Sequence, residues 1–140
     1  MKIFLDSNFL IYMNTMTNEE RESLDELFRK LLEESLFTNM LVVDETLYVS
    51  KRFGLPYDVT FDFLRGIVLP HIQIIPIDEE DIILTEKYLL KYGMKPSDAI
   101  HLSTMEKSGI NRIVTEDEDF DRVEEVKRVW LNTRHGGVNW

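Results

Sequence analysis

The 140-residue sequence predicts a single layered α/β domain built on a largely parallel sheet, and three observations carry that reading. Short β-rich apolar runs alternate along the chain with segments of helical period, the pattern of βαβ units. The first of these runs, Ile3-Phe4-Leu5, is apolar at consecutive positions, as a strand buried on both faces must be. It stops abruptly at Asp6-Ser7-Asn8, and in open α/β sheets ligands sit at the carboxyl ends of such strands. The same triplet reads equally well as an N-cap for a helix over Phe9 to Met13, because Ser, Asp and Asn are preferred caps.

Taking the chain in order, Thr17-Asn18-Glu19-Glu20 has the form of a capping box, and Leu24, Leu27, Phe28, Leu31 and Leu32 continue at helical spacing to about Leu36. The stretch Leu36 to Val43 has two readings. It is one long strand, or a strand ending near Thr38 followed by a helix from Met40 to Phe53, with Asn39 as N-cap and Gly54 as the stop. In the second reading Val42, Glu45, Thr46 and Val49 share one helical face, which puts a carboxylate in an inward stripe. Pro56 suits the first turn of a helix reaching about Val68, and Ile72 to Ile75 is a strand ended by Pro76.

Asp78 and Asp81 mark the next helix start, with Ile82, Ile83, Tyr88, Leu89 and Tyr92 as its apolar side and Gly93 as its close. Pro96-Ser97-Asp98 opens a helix to about Ser108, with Ala99, Ile100, Leu102 and Met105 as core contacts. Arg112 to Thr115 and Val126 to Leu131 are strands. No repeat or interdomain linker divides residues 1–131. The tail, Asn132 to Trp140, has no clear period and carries the Gly136-Gly137 pair, as a flexible end or a docking segment would.

Composition narrows the chemistry. Hydrophobic residues make up 44% of the chain, with eight Phe, five Tyr and two Trp, which excludes a disordered protein. No apolar run approaches the roughly 18 residues of a membrane span, and no basic-then-apolar leader opens the chain, so a soluble cytoplasmic protein is expected. The absence of cysteine excludes disulfides, thiolate metal sites and cysteine nucleophiles, leaving oxygen or imidazole ligands. With 26 Asp plus Glu against three His, carboxylates are the expected ligands. The net charge of −10 argues against broad electrostatic binding of nucleic acid, so a polyanionic substrate would need bound cations and a local basic patch.

Most of those carboxylates are ordinary solvated surface. Three of them share a special context, since Asp6, Asp98 and Asp117 each follow, or lie just beyond, a short apolar strand. Strand ends at one edge of a parallel sheet converge, and Glu45 joins them if its helix packs across that edge. Two carboxylates about 4 Å apart repel by roughly 4 kcal/mol at an effective dielectric of 20. A hard divalent cation such as Mg²⁺, bound by one or two carboxylates, water and a phosphate, is the natural solution. Two such ions about 4 Å apart clamp both oxygens of a phosphodiester displacement. Singly, each acid has a plainer explanation: Asp98 favours a helix N-terminus, Glu116 to Asp119 form an acidic turn, and Glu45 lies on a solvated face beside Asp44.

Four segments in order, Phe4-Leu5-Asp6-Ser7-Asn8, Val42 to Tyr48, Pro96 to Leu102 and Ile113 to Phe120, resemble the PIN domain, and closely its VapC-type toxin ribonucleases. The resemblance covers residues 2 to about 131. It implies a three-layer α/β/α sandwich around a mainly parallel sheet of about five strands, and an endoribonuclease dependent on Mg²⁺ or Mn²⁺. It puts the family's four acids on Asp6, Glu45, Asp98 and Asp117, with Asp119 able to share or take the last place because four acids run together there. Ser7, Asn8 and Thr115 match its supporting polar positions, and the helix carrying Glu45 is favoured over the long strand. His101, three residues after Asp98, is expected to pack in the core rather than to bind metal. The resemblance further implies a homodimer, an RNA substrate and a small antitoxin whose C-terminal segment blocks the site, with an Arg to reach the carboxylates.

Rival readings fit less well. A haloacid-dehalogenase-like phosphatase needs an acid where Asn8 stands, and a response-regulator receiver needs paired acids before a later acceptor strand. A PIN-like module that binds RNA or protein without cutting, and an RNA-processing nuclease without an antitoxin, differ in activity or partner rather than fold.

Overall fold

The computed structural model describes residues 1–132 and 138–140. Its sheet is built outward from β1 (Lys2–Leu5), with β2 (Ser35–Asn39) and β4 (Arg112–Val114) as parallel neighbours. Beyond them, β3 (Ile72–Ile75) joins β2 and β5 (Lys127–Leu131) joins β4, again in parallel. A short antiparallel β6 (Val138–Asn139) pairs with Trp130 and Leu131, giving the order β3-β2-β1-β4-β5-β6. Ile3, Phe4 and Leu5 are all 0% exposed, and since alternate residues of a strand face opposite sides, both faces of the sheet are covered. The unbroken apolar run is thus the doubly buried strand expected of it, and the layers form the α/β/α sandwich that the PIN resemblance implied. Burying each of these side chains contributes about 1.5–3 kcal/mol.

The covering helices are α1 (Ser7–Thr15), α2 (Glu20–Leu31), α3 (Met40–Arg52), α4 (Tyr57–Phe63), α5 (Asp81–Tyr92) and α6 (Pro96–Lys107). The two-way segment after Leu36 resolves as strand then helix. Asn39 has extended backbone, its side-chain oxygen accepts from the Val42 N–H at 3.0 Å, and α3 begins at Met40. The chain leaves α3 through Gly54, whose φ of 94° suits glycine. After α4 the helical path widens into a π-helical turn over Leu64–Val68, keeping Leu64 and Val68 buried.

Three expectations change. Helix α2 ends at Leu31 rather than near Leu36, because Ser35 and Leu36 pair with Lys2 and Ile3 in the sheet. No capping box forms at Thr17; the Asn18 side chain accepts from the Glu20 N–H at 3.2 Å instead. On α5, Ile82 and Ile83 are 68% and 78% exposed, and the inward positions belong to Asp81 and Tyr88. Asp81 can be buried because its carboxylate accepts from Lys107 Nζ at 2.7 Å and from the Asp78 N–H at 2.9 Å. These partners hold its pKa below the usual carboxylate range against the effect of burial. Residues 133–137 of the tail, with His135 and the Gly136-Gly137 pair, lie outside the described residues.

Gly93 closes α5 at φ 65°, where a Cβ is strained even though open space surrounds it. Gly93→Ala is expected to lower unfolding free energy by about 1 kcal/mol in a urea titration, and an unchanged midpoint would contradict the left-handed stop.

Candidate active site

Register decides which strand ends meet. Leu5 pairs with Val114, and Phe4 pairs with Phe37, so Asp6, Thr115 and the Thr38-Asn39 step emerge at one edge. The ladder runs one residue further, with the Asp6 N–H donating to the Val114 carbonyl at 3.1 Å. Thr38 Oγ1 closes the other side by donating to the Leu5 carbonyl at 2.9 Å.

Asp6 is 4% exposed, and of the two roles its residue type suggested the cap is in place. As the N-cap of α1, its Oδ1 accepts from the Ser7 N–H at 2.8 Å. Its Oδ2 accepts from Thr115 Oγ1 at 2.8 Å and, at 3.5 Å, from Asn8 Nδ2. Asn8 also donates to Thr115 Oγ1 at 2.8 Å and accepts from the Glu116 N–H at 3.2 Å, tying the end of β1 to the end of β4. Ser7 reaches the carboxylate through its backbone N–H. Thr115 Oγ1 in turn accepts from the Asp117 N–H at 3.1 Å, which sets the start of the turn carrying the fourth acid.

Asp98 enters on the first turn of α6, where Pro96 provides a helix-ready first residue, and it is 9% exposed. Its carboxyl is pushed up to about 6, first by burial and then by the charge of Asp6, with Asp117 and Glu45 adding to the rise and His101 opposing it. Asp6 is raised too, again chiefly by burial, with Glu45 contributing, while His101, Thr115 and the Ser7 N–H pull the other way. Asp6, Glu45, Asp98 and Asp117 therefore share one electrostatic field. Asp119 is differently engaged: it pairs with Arg122 Nη2 at 3.3 Å, and its N–H donates to Asp117 Oδ1 at 2.9 Å.

The residue least foreshadowed by local pattern is His101. It is fully buried and packs against Phe4 with ring centroids 5.5 Å apart, as expected of a core histidine. Yet its Nε2 lies 2.7 Å from Glu45 Oε1 and 3.8 Å from Asp6 Oδ1. The available signal was its position one helical turn after Asp98, on the same face of α6.

The donor set fits a cation. One ligand atom from each of Asp6, Glu45 and His101 lies within 4.8 Å of the others, and Asp98 is raised first by burial and then by the acids around it. Oxygen donors and crowded anions suit Mg²⁺ or Mn²⁺ better than a soft metal.

A doubly covered, mainly parallel sheet with Asp6, Glu45 and His101 clustered at its carboxyl edge, and Asp98 and Asp117 near enough to interact with them electrostatically, is an α/β domain with an acidic site. The chain belongs to the PIN domain family, whose sequence profile matches residues 3–126. Among its relatives, Ribonuclease VapC2 of Methanocaldococcus jannaschii is 29% identical over 140 residues, covering 88% of this chain and 89% of the relative. Ribonuclease VapC13 of Mycobacterium tuberculosis is 26% identical over 132 residues, covering 91% and 98%. Of solved structures, VapBC2 from Rickettsia felis bound to a DNA fragment from its promoter superposes with a TM-score of 0.71, at 17% identity over 91% of this chain and 97% of that one. The sarcin-ricin loop cleaving toxin VapC20 of Mycobacterium tuberculosis gives 0.69, at 15% identity over 85% and 92%.

Proposed function

We propose that the chain is a divalent-metal-dependent endoribonuclease acting in the cytoplasm, the toxin of a toxin–antitoxin pair. The observation that carries this reading is the meeting of Asp6, Glu45 and His101 at the carboxyl edge of the sheet, with Asp98 beside them, pushed up to about 6 first by burial and then by the charges of Asp6, Asp117 and Glu45. Its relatives named as VapC ribonucleases support the substrate class. Structures of VapBC and of a toxin–antitoxin complex from Klebsiella pneumoniae, similar in fold, support a small protein antitoxin.

Asp6, Asp98 and Asp117 would hold one or two cations, with Glu45 as a further ligand or as the base that would take a proton from the attacking water. Bound Mg²⁺ or Mn²⁺ supplies Lewis acidity toward the phosphodiester. Thr115 and Asn8 hold Asp6 through Oδ2, so the carboxylate needs little reorganisation when substrate arrives. Asp119 has the weaker claim to the fourth place, since it is paired with Arg122. Cleavage of defined RNA oligonucleotides by chelator-treated protein, with and without added Mn²⁺, tests the proposal. Mn²⁺-dependent internal cuts are expected, and undiminished cleavage in chelator would sink it.

Self-association belongs to the same proposal. Ile82, Ile83 and Leu90 leave α5 exposed along an apolar row, with Ile77 beside it. The double substitution Ile82→Lys with Ile83→Lys is expected to turn a dimer into a monomer by light scattering. It should change monomer stability by no more than about 0.5 kcal/mol, since the side chains face solvent. A wild type that is monomeric at all concentrations would contradict the dimer.

A further inference from the structure

We propose that His101 is a positioning residue, a neutral imidazole that donates from Nε2 to the Glu45 carboxylate in a tautomer imposed by Asn39, and not a ligand of the cation. The positioning role rests on the four-acid reading of the site; the tautomer follows from hydrogen-bond directions.

Asn39, at the end of β2, is fully buried. Its Oδ1 accepts from the Val42 N–H at 3.0 Å, so its Nδ2 must be the other end of the amide. A second contact orients it independently. Thr104 Oγ1 spends its proton on the His101 carbonyl at 2.8 Å and therefore accepts from Asn39 Nδ2, 3.0 Å away. The same Nδ2 lies 3.1 Å from His101 Nδ1 and can only donate to it. An Nδ1 that accepts carries no proton, so the ring hydrogen sits on Nε2, which faces Glu45 Oε1 at 2.7 Å.

With its proton directed at Glu45, Nε2 has no lone pair to give a cation, although it is close enough to Asp6 and Glu45 to look like a third ligand. Burial disfavours a second ring proton, while Glu45, Asp6 and Asp98 together favour it and raise the ring's pKa. A proton on Nδ1, however, would face the Asn39 donor, and turning that amide would set its NH₂ against the Val42 N–H. The residue that caps α3 thus also determines how α6 holds the Glu45 side chain. Cap, histidine and acid form one chain of hydrogen bonds from backbone to site.

Long-range ¹H–¹⁵N NMR of the full-length protein with labelled histidine reads the tautomer directly, because protonated and unprotonated ring nitrogens resonate far apart. A single proton on Nε2 of His101 is expected at neutral pH, unchanged when Mg²⁺ is added. A proton on Nδ1, protons on both nitrogens, or loss of the Nε2 proton on adding Mg²⁺ would overturn the assignment. Asn39→Asp keeps an oxygen cap for α3 and presents an acceptor to Nδ1, so it is expected to draw a proton there; an unchanged pattern in the folded variant would also overturn it. For function, His101→Leu should lower kcat about 10- to 100-fold with little change in KM, and His101→Gln, which can still donate to Glu45, should recover most of the loss. Equal loss in both folded variants would contradict the donor role. If the wild type cleaves no RNA, the proposed activity falls, while the tautomer measurement still decides this inference.

Discussion

Asp6→Asn is expected to abolish most metal-dependent RNA cleavage, by about 10²–10³-fold or more in kcat, while leaving the protein folded. The substitution removes a charge without removing the cap. An Asn side-chain oxygen can still accept from the Ser7 N–H, which is the contact that starts α1. With that oxygen held by Ser7, the amide NH₂ would stand where Oδ2 does and face Thr115 Oγ1, which would turn its proton away and give up one of the contacts it now accepts from Asn8 and Asp117. Because Asp6 is buried and its pKa is raised, losing its charge should not lower the melting temperature of the metal-free protein. A wild-type cleavage rate in this variant, measured on the same RNA with the same cation, would remove Asp6 from the chemistry.

Metal-free protein is expected to lose stability as pH rises from about 4 to 6, and Asp98→Asn is expected to lessen that loss, with the buried Asp6 carrying the remainder. The folded-state pKa of Asp98 is about 6 against 3.8 for the free side chain, so between those values the folded state binds the extra proton. Unfolding free energy then falls with rising pH, the reverse of a carboxylate stabilised by a cation partner. The full shift corresponds to at most about 3 kcal/mol, and less here because the carboxyl keeps some contact with water. The groups facing it are Asp6, Asp117 and Glu45, which oppose ionisation, and His101, which would assist it only with a proton on both ring nitrogens. A bound cation reverses the balance by favouring the ionised acids, so saturating Mg²⁺ should raise the melting temperature more at pH 7 than at pH 5. Thermal melts of wild type and Asp98→Asn across this range decide the matter. Identical pH profiles for the two, or an equal Mg²⁺ effect in both, would count against a shared acidic site.

Much of the framework was legible because its signals are local. Ile3 to Leu5 reads as a doubly buried strand from composition alone, and the observed burial follows. The position of Glu45 turned on one residue, Asn39, which any reader of caps can propose but which only the strand register makes final. The outward turn of Ile82 and Ile83 was not legible, because the inward stripe of α5 contains a buried acid whose partners, Ser103 and Lys107, lie 22 and 26 residues further on. The same limit hid the role of His101. Its contact with Glu45 spans 56 residues and passes between two helices whose meeting depends on the whole sheet. Residue type suggested a core histidine, and burial agrees; only tertiary geometry adds the carboxylate.

The convergence of the acids has the same character. Asp6 and Thr115 are 109 residues apart, and they touch because Leu5 pairs with Val114. A slip of one residue in that register would send every side chain of β1 to the opposite face and dissolve the cluster. Sequence spacing could nominate the four acids but could not bring them together.

Anomalous diffraction from crystals grown or soaked with Mn²⁺ tests the shared acidic site most directly. A manganese peak is expected at the carboxyl edge of the sheet, with oxygens of Asp6 and at least one of Asp98 and Asp117 about 2.0–2.3 Å away, and with His101 Nε2 still turned to Glu45. Manganese bound elsewhere on this acidic surface and not at that edge would contradict a metal-dependent site built on Asp6.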